Sequence, residues 1–300
     1  MSQRKRMLLA LITREMWRVI YVLNDYRKTT AAALVALVIG VWFWNCLPAT
    51  LFNIPLSPVL FSKEGELLAA RVASDEQWRF PPMGNVPEKF AKALIQYEDK
   101  RFYRHPGVDP LAISRAMVLN FQNKRVVSGA STLSMQVIRL SRGNPPRTLS
   151  EKLYEMILAL RLELRYSKAE ILSLYASYAP FGGNIVGLEA ASWRYFGRRP
   201  EQISWAEAAM LAVLPNSPGL VHMTKNRNTL LSKRDTLLAD LHQDGYIDNL
   251  QLKLAQAEAL PRGLVRMPAR AFHLLHTLAA QSRITRRFDT TLSSEYQRIV

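Results

Sequence analysis

Glu98-Asp99-Lys100-Arg101-Phe102-Tyr103-Arg104-His105-Pro106-Gly107 gathers two carboxylates, an imidazole and three cations into ten positions. On a helix from Glu88, the apolar face comprises Phe90, Leu94 and Tyr97, and Glu98 falls at its margin. A carboxylate half-buried at such a margin has its pKa raised by desolvation, which suits a general base or acid near neutral pH. The plainer reading is a helix-terminal acid paired with Lys or Arg.

A second group, Ser128-Gly129-Ala130-Ser131-Thr132-Leu133-Ser134-Met135-Gln136, sets small hydroxyls and an amide behind a glycine. Such a segment donates several hydrogen bonds to a polyhydroxylated or phosphorylated ligand, and it equally well describes a Ser/Thr-capped helix start. A third group interleaves Arg139, Arg142 and Arg147 with Lys152 and Glu155. Guanidinium forks match phosphates, whereas a charge run is also an ordinary solvated face.

These groups need helices to hold them. Leu149, Leu153, Met156, Ile157, Leu160 and Leu164 form an apolar stripe at helical spacing over 149–165, which predicts Glu151 and Glu155 on the opposite, polar face. Helices are also expected over 168–178, over 204–214 behind a Ser204/Glu207 capping box, and over 228–243. Upstream, apolar runs at Val59–Phe61 and Leu67–Val72 flank a KEGE turn and read as a hairpin. From Glu88 to Asp248 the pattern is helical, without strand alternation. After Asp248 it becomes basic and irregular, and Pro261, Gly263 and Pro268 suggest a linker.

The chain has 300 residues, 49% hydrophobic and 21% charged, too apolar for disorder, and a formal net charge of +16 that calls for an anionic partner. A single Cys46 excludes an intramolecular disulfide framework, and the five histidines lack paired-ligand spacing, so no metal site is read from the residues. No charge falls between Lys28 and Lys63, and Thr29–Leu47 has the length needed to cross a bilayer. The preceding tail carries seven Arg and Lys against Glu15 and Asp25, which predicts an uncleaved anchor with its N-terminus in the cytoplasm and the rest of the chain outside. Trp42, Phe43 and Trp44 suit the far interface, and this topology disfavours nucleic acid.

Taken in order, the three groups resemble the signature of the bacterial peptidoglycan glycosyltransferases, the family 51 domain of class A penicillin-binding proteins, most like the 1C group. That family's E-D-x-x-F-x-x-H-x-G stands as Glu98, Asp99, Phe102, His105 and Gly107, and its G-x-S-T-x-x-x-Q as Gly129, Ser131, Thr132 and Gln136. ILSLY at 171–175, Gly182, Gly187, YFG at 195–197 and SWAEAAMLAVLPNSP at 204–218 extend the likeness over about 58–248. Two positions depart from it. R-K-x-x-E is Glu151-Lys152-Leu153-Tyr154-Glu155, with an acid for the arginine, and LYLN is Leu174-Tyr175-Ala176-Ser177. The first departure predicts poorer charge complementarity, so that Glu151→Arg is expected to raise activity.

The resemblance implies a mainly α, lysozyme-like glycosyltransferase domain with a short N-terminal β-hairpin, preceded by one transmembrane helix in the bacterial cytoplasmic membrane. The expected boundaries are a basic tail over 1–28, the span over 29–48, a connector with hairpin over 49–87, the catalytic domain over 88–248, and over 249–300 a linker and the start of a missing transpeptidase domain. A jaw lobe dipping into lipid is expected over 108–127, where Leu111, Ile113, Met117, Val118 and Phe121 meet either the bilayer or the core. The implied reaction polymerises lipid II into β-1,4 glycan with inversion at C1. Glu98 is then the general base, and Glu155, the second catalytic residue, holds or neutralises the leaving pyrophosphate together with Arg115, Arg139, Arg147 and Lys152. The remaining motif residues bind substrate. No cofactor is required, although a divalent cation, Mg or Mn, is allowed at the pyrophosphate. Anionic lipids and other cell-wall synthesis proteins are the further partners.

Two other classes fit the same residues: a lytic transglycosylase with Glu98 as its acid, and an inactive membrane-anchored binding protein. Cleaving a neutral glycosidic bond needs no cationic array, and retention of both glutamates favours activity.

Two outcomes are expected from these residues alone. External protease on spheroplasts digests the chain after Pro48 and spares the tail, whereas a soluble product starting near residue 49 would mark a cleaved segment. Labelled penicillin leaves no adduct that survives denaturing electrophoresis, because no S-x-x-K stands outside Ser2–Lys5 of the tail.

Overall fold

The computed structural model describes residues 26–124, 129–215, 226–282 and 284–299. The basic tail through residue 25, the 125–128 stretch with Ser128, and residues 216–225, including Asn216, Ser217 and Pro218 of the resemblance, lie outside the described residues. The chain divides into two compact units, Met1–Ala49 and Thr50–Val300.

In the first unit α1 (Tyr26–Asn45) is apolar and exposed along its length. Its polar side chains turn onto their own backbone. Thr29 and Thr30 Oγ1 donate to Tyr26 O at 2.9 Å, and Asn45 Nδ2 donates to Val41 O at 2.8 Å. An apolar medium demands this internal pairing.

The second unit opens with the expected hairpin, β1 (Val59–Phe61) against β2 (Leu67–Ala70), turned at Gly65 where φ is +76°. A helical body follows: α2 (Glu88–Glu98), α3 (Pro110–Asn123), α4 (Leu133–Ser141), α5 (Leu149–Glu163), α6 (Lys168–Tyr178), α7 (Leu188–Phe196), α8 (Trp205–Val213) and α9 (Arg227–Gln243). α8 is buried from Ala206 to Val213 and forms the centre against which α2 and α9 pack. Its predicted Ser204/Glu207 capping box is present. Short strands β3 (Trp78–Arg79), β4 (Pro180–Gly182) and β5 (Ile185–Val186) make a second sheet, in the order β3-β5-β4, that the sequence did not announce. Runs of two or three residues are too short to show alternation.

Beyond Asp248 the chain is more ordered than a linker. α10 (Asn249–Ala257) starts from an Asp248/Gln251 capping box, and buried Arg234 of α9 donates to its end through Glu258 O at 2.6 Å and Gln256 O at 3.1 Å. α11 (Phe272–Gln281) and β6 (Arg287–Asp289) come next, then a short α12 (Tyr296–Ile299). β6 pairs parallel to β1, and Leu275, Leu278, Phe288 and Leu292 close over Leu60, Leu68 and Ala69 of the hairpin. The segment expected to begin another domain therefore completes the sheet β2-β1-β6.

The largest correction concerns α5. Its buried face carries Glu155, Leu158, Ala159, Arg161 and Leu162. Of the apolar stripe read from spacing, Leu149 is 78% exposed and Leu153, Leu160 and Leu164 are also exposed, while Met156 and Ile157 are half-buried. The row that turns in includes Glu155, which is paired with Arg139 of α4. On α3, Leu111, Met117, Val118 and Phe121 are likewise exposed, Phe121 by 87%, so these side chains do not pack into the core.

Gly107 fixes the approach of the 98–107 loop to α5. Its φ is +99°, and a Cβ there would lie 2.6 Å from the carbonyl oxygen of Ala159. Gly107→Ala is expected to destabilise the domain by roughly 2–3 kcal/mol, a melting-temperature loss on the order of 5–10 °C by scanning calorimetry. An unchanged melting temperature would show that the loop yields without cost.

Candidate active site

Glu98 is the last residue of α2 and is half-buried. Asp99 caps that helix, and its buried carboxylate ties the following loop to the start of α4. Its oxygens lie 3.0 Å from His105 Nε2, and Oδ2 accepts from Leu133 N at 3.0 Å. An anion at a helix N-terminus meets both unpaired N–H groups and the favourable end of the dipole. Gly107 N donates to His105 Nδ1 at 3.2 Å, which leaves the ring proton on Nε2, aimed at Asp99. Thr132 caps α4, accepting from Met135 N at 3.3 Å and donating to Gly107 O at 2.5 Å.

This clamp brings the first two sequence groups together. Gln136, on the first turn of α4, donates through Nε2 to Glu98 Oε2 at 2.8 Å. Further along the same helix, Arg139 NH1 donates to Glu155 Oε1 at 3.1 Å and NH2 to Pro145 O at 2.6 Å. Arg142, the C-cap, donates to Glu151 Oε2 at 2.5 Å. Residues three apart on a helix are neighbours on one face, so α4 presents Gln136, Arg139 and Arg142 in a row to three carboxylates.

Glu155 is 3% exposed, and Lys152 lies half-buried beside it. Lys152 Nζ donates to Ser131 Oγ, joining α5 to the segment ahead of α4. Burial pushes the Lys152 pKa down, with the charges of Arg147 and Arg139 adding and Glu155 opposing. The hydrogen bond from Arg142 holds Glu151 below the usual carboxylate range, and Glu151 in turn raises Arg142. Glu151 therefore stands as half of an ion pair.

The residues singled out from sequence divide by place. Glu98 with Gln136, Arg139 with Glu155, and Lys152 with Ser131 form three hydrogen-bonded pairs, the last two linked by the charge of Glu155 on Lys152, with Arg147 exposed beside Lys152. Asp99, Phe102, His105, Gly107 and Thr132 are buried in the frame behind them. Thr132 thus also fulfils the capped-helix reading. Gly129 is exposed with open space around it, and Arg115 is exposed on α3, outside the hydrogen-bonded pairs. Ser177, the second departure, accepts from Met83 N at 3.2 Å.

Sequence reading missed a tie behind the site. Glu163 Oε1 accepts from Ser134 Oγ at 2.5 Å and from Lys168 Nζ at 2.7 Å, and Lys168 also donates to His105 O at 2.7 Å. It passed over Tyr175 as a site residue as well. That side chain is 1% exposed, and its hydroxyl has no hydrogen-bond partner among the described residues. Burial first, and the negative charge of Glu98 next, push its pKa well above that of an ordinary phenol. Its place within ILSLY was the available signal.

Comparison with known proteins bears on the family of the chain. The transglycosylase family model matches residues 64–242. Penicillin-binding protein 1C of Escherichia coli (strain K12) is 35% identical over 272 residues, covering 90% of this chain and 35% of that protein. Penicillin-binding protein 1A of the same organism is 34% identical over 202 residues, 67% of this chain and 23% of that one. Penicillin-binding protein 1A/1B of Bacillus subtilis (strain 168) is 31% identical over 207 residues, 69% and 22% respectively. The crystal structure of penicillin-binding protein 1A from Haemophilus influenzae aligns with a TM-score of 0.40 and 15% identity, over 81% of this chain and 28% of that one. The chain spans about a third of the length of the 1C relative. With the family model matched over more than half its residues, this chain belongs to the transglycosylase family found in class A penicillin-binding proteins.

Proposed function

We propose that this protein is a peptidoglycan glycosyltransferase that polymerises lipid II into β-1,4 glycan and releases undecaprenyl pyrophosphate. The observation that carries the reading is the row along α4, which holds a carboxylate, Glu98, at one end and a cation cluster around Glu155 at the other. Glycosyl transfer from a pyrophosphate needs both. The acceptor 4-hydroxyl gives its proton to Glu98, its oxygen attacks C1 from the opposite face, and the bond from C1 to the phosphate oxygen breaks with the electron pair leaving on the pyrophosphate. Arg139, Arg147 and Lys152 neutralise that developing charge, and Glu155 holds Arg139 in place. Arg115 would join them only by reaching from α3.

Among the described residues no three His, Cys, Asp or Glu side chains converge on a point. They do not by themselves fit the divalent cation that the resemblance allows, and no step here runs through it. The outward apolar faces of α3 and α5 support contact of the domain with the outer leaflet of the bacterial cytoplasmic membrane, with α1 as a single-pass anchor whose N-terminus is cytoplasmic. Anionic lipids and other cell-wall synthesis proteins are its proposed further partners.

Replacing Glu98 by Gln keeps shape and hydrogen bonding but removes the proton acceptor. Polymerisation of lipid II in detergent is expected to fall by ~10²–10⁴-fold while lipid II is still retained by the mutant. Glu155→Gln is expected to weaken binding as well as turnover, since Arg139 loses its charged partner. Wild type that ignores lipid II and instead shortens finished glycan to anhydro-sugar ends would make Glu98 a lytic acid and overturn the reading.

A further inference from the structure

Arg142 is held at three points where α4 meets α5. Its NH1 donates to Glu151 Oε2 at 2.5 Å, its guanidinium lies over the Tyr154 ring with 4.6 Å to the centroid, and its backbone closes α4 through Ile138 O. Glu151 and Tyr154 are three apart on α5, so one helical face cradles the guanidinium. Thr148 fixes that face by capping α5 and accepting from Glu151 N at 3.2 Å. The connecting turn is also set, with Gly143 and Asn144 both at positive φ and Asn144 N donating to Arg139 O at 3.0 Å. An arginine fixed in this way loses little freedom when it takes a ligand.

The pair also lies in the field of the catalytic cations. Arg142 feels the charge of Glu155, and Glu151 feels that of Arg139. Arg142 and Glu151 side chains are both 29% exposed, so the guanidinium faces solvent as well as its partner. The bond to Glu151 engages NH1, and a guanidinium has five N–H donors with which to meet an anion.

We propose that Arg142 is a further residue contacting the leaving pyrophosphate, and that Glu151 and Tyr154 are the positioning residues that aim it. The inference rests on the pyrophosphate reading of the Arg139, Arg147 and Lys152 cluster given above. The acid at position 151 is then not a cation lost from the site but the support of a cation supplied from α4. The consequence is opposite in sign to the sequence expectation. An arginine at 151 would meet Arg142 at ion-pair distance with no counter-charge between them and drive it from the site.

The test is titration of the full chain in detergent with inorganic pyrophosphate, alongside KM and kcat for lipid II. Arg142→Ala is expected to weaken pyrophosphate binding about tenfold at an unchanged melting temperature, and Arg142→Lys to recover only part, lacking the planar fork. Glu151→Arg alone is expected to weaken binding, whereas Glu151→Arg added to Arg142→Ala restores it, because the second arginine then has the site to itself. Lys152→Ala separates the two levels of the argument. Binding lowered by Lys152→Ala but unmoved by Arg142→Ala overturns the role of Arg142 and leaves the pyrophosphate reading standing. Binding unmoved by both overturns the pyrophosphate reading with it. Tighter binding in Glu151→Arg alone would return position 151 to a plain loss of charge.

Discussion

The site depends on one buried carboxylate, that of Asp99. It accepts from the α4 backbone at Leu133 and faces the His105 ring, so the residue after Glu98 is bonded to the helix that carries Gln136, Arg139 and Arg142. A buried charge held by an N–H of a helix terminus and an imidazole is stable because its partners are fixed before it arrives. Removing the His105 ring leaves that carboxylate short of one hydrogen bond in the interior, at a cost of ~1–3 kcal/mol. Glu98 is thereby positioned by its neighbour in sequence, and the rest of the row along α4 follows from helix geometry.

Beyond that anchor the difficulty is repulsion. Arg139, Arg142, Arg147 and Lys152 stand together around Glu155 and Glu151, and four cations without those acids would push one another into solvent. Burial lowers the Lys152 pKa, Glu155 opposes that shift, and the charges of Arg147 and Arg139 add to it. The two acids are therefore counter-charges within the cluster, whatever part they take in the proposed reaction. They hold the cluster assembled in the absence of an anion, and donors already in place need no reorganisation when charge develops.

How much of this was legible in the sequence varied with the range of the interaction that decides it. The Ser204/Glu207 cap, the 168–178 helix and the Val59–Phe61 strand are local, and each stands where spacing placed it. The motif residues Glu98, Gln136 and Lys152 were legible through the spacing of the family's motifs, although their mutual contacts were not. Periodicity pointed to the wrong row of α5, since the buried Leu158, Ala159 and Leu162 share their face with Glu155 and Arg161 and so read as the more polar side. The charged residues on that face find partners only on other helices, as Glu155 does with Arg139, and local spacing carries no sign of them. The parallel pairing of β6 with β1 bridges more than two hundred positions, beyond the reach of any local pattern. Glu163 and Lys168 were passed over because surface-type residues at helix ends carry no signal of burial until a partner such as Ser134 is in place.

The reversed face of α5 has a consequence for the proposed chemistry. Lys152 and Glu155 turn toward the site, while Leu149, Leu153, Leu160 and Leu164 of the same helix turn out. A helix with its side chains is about 10–12 Å across, so the cations lie within about that distance of an apolar surface. A lipid pyrophosphate has the same arrangement, with a charged head joined to a tail that stays in hydrocarbon. If the outward row rests against the bilayer as proposed, α5 places the phosphate-binding side chains one helix width from where the head must emerge. The lipid then need not leave the membrane for its C1 to be reached. A catalytic helix of a soluble enzyme would have no use for a second apolar row, and exposing it to water would only invite aggregation. On the proposed reading, that row is the means by which a lipid-linked substrate and the groups that act on it meet at one depth.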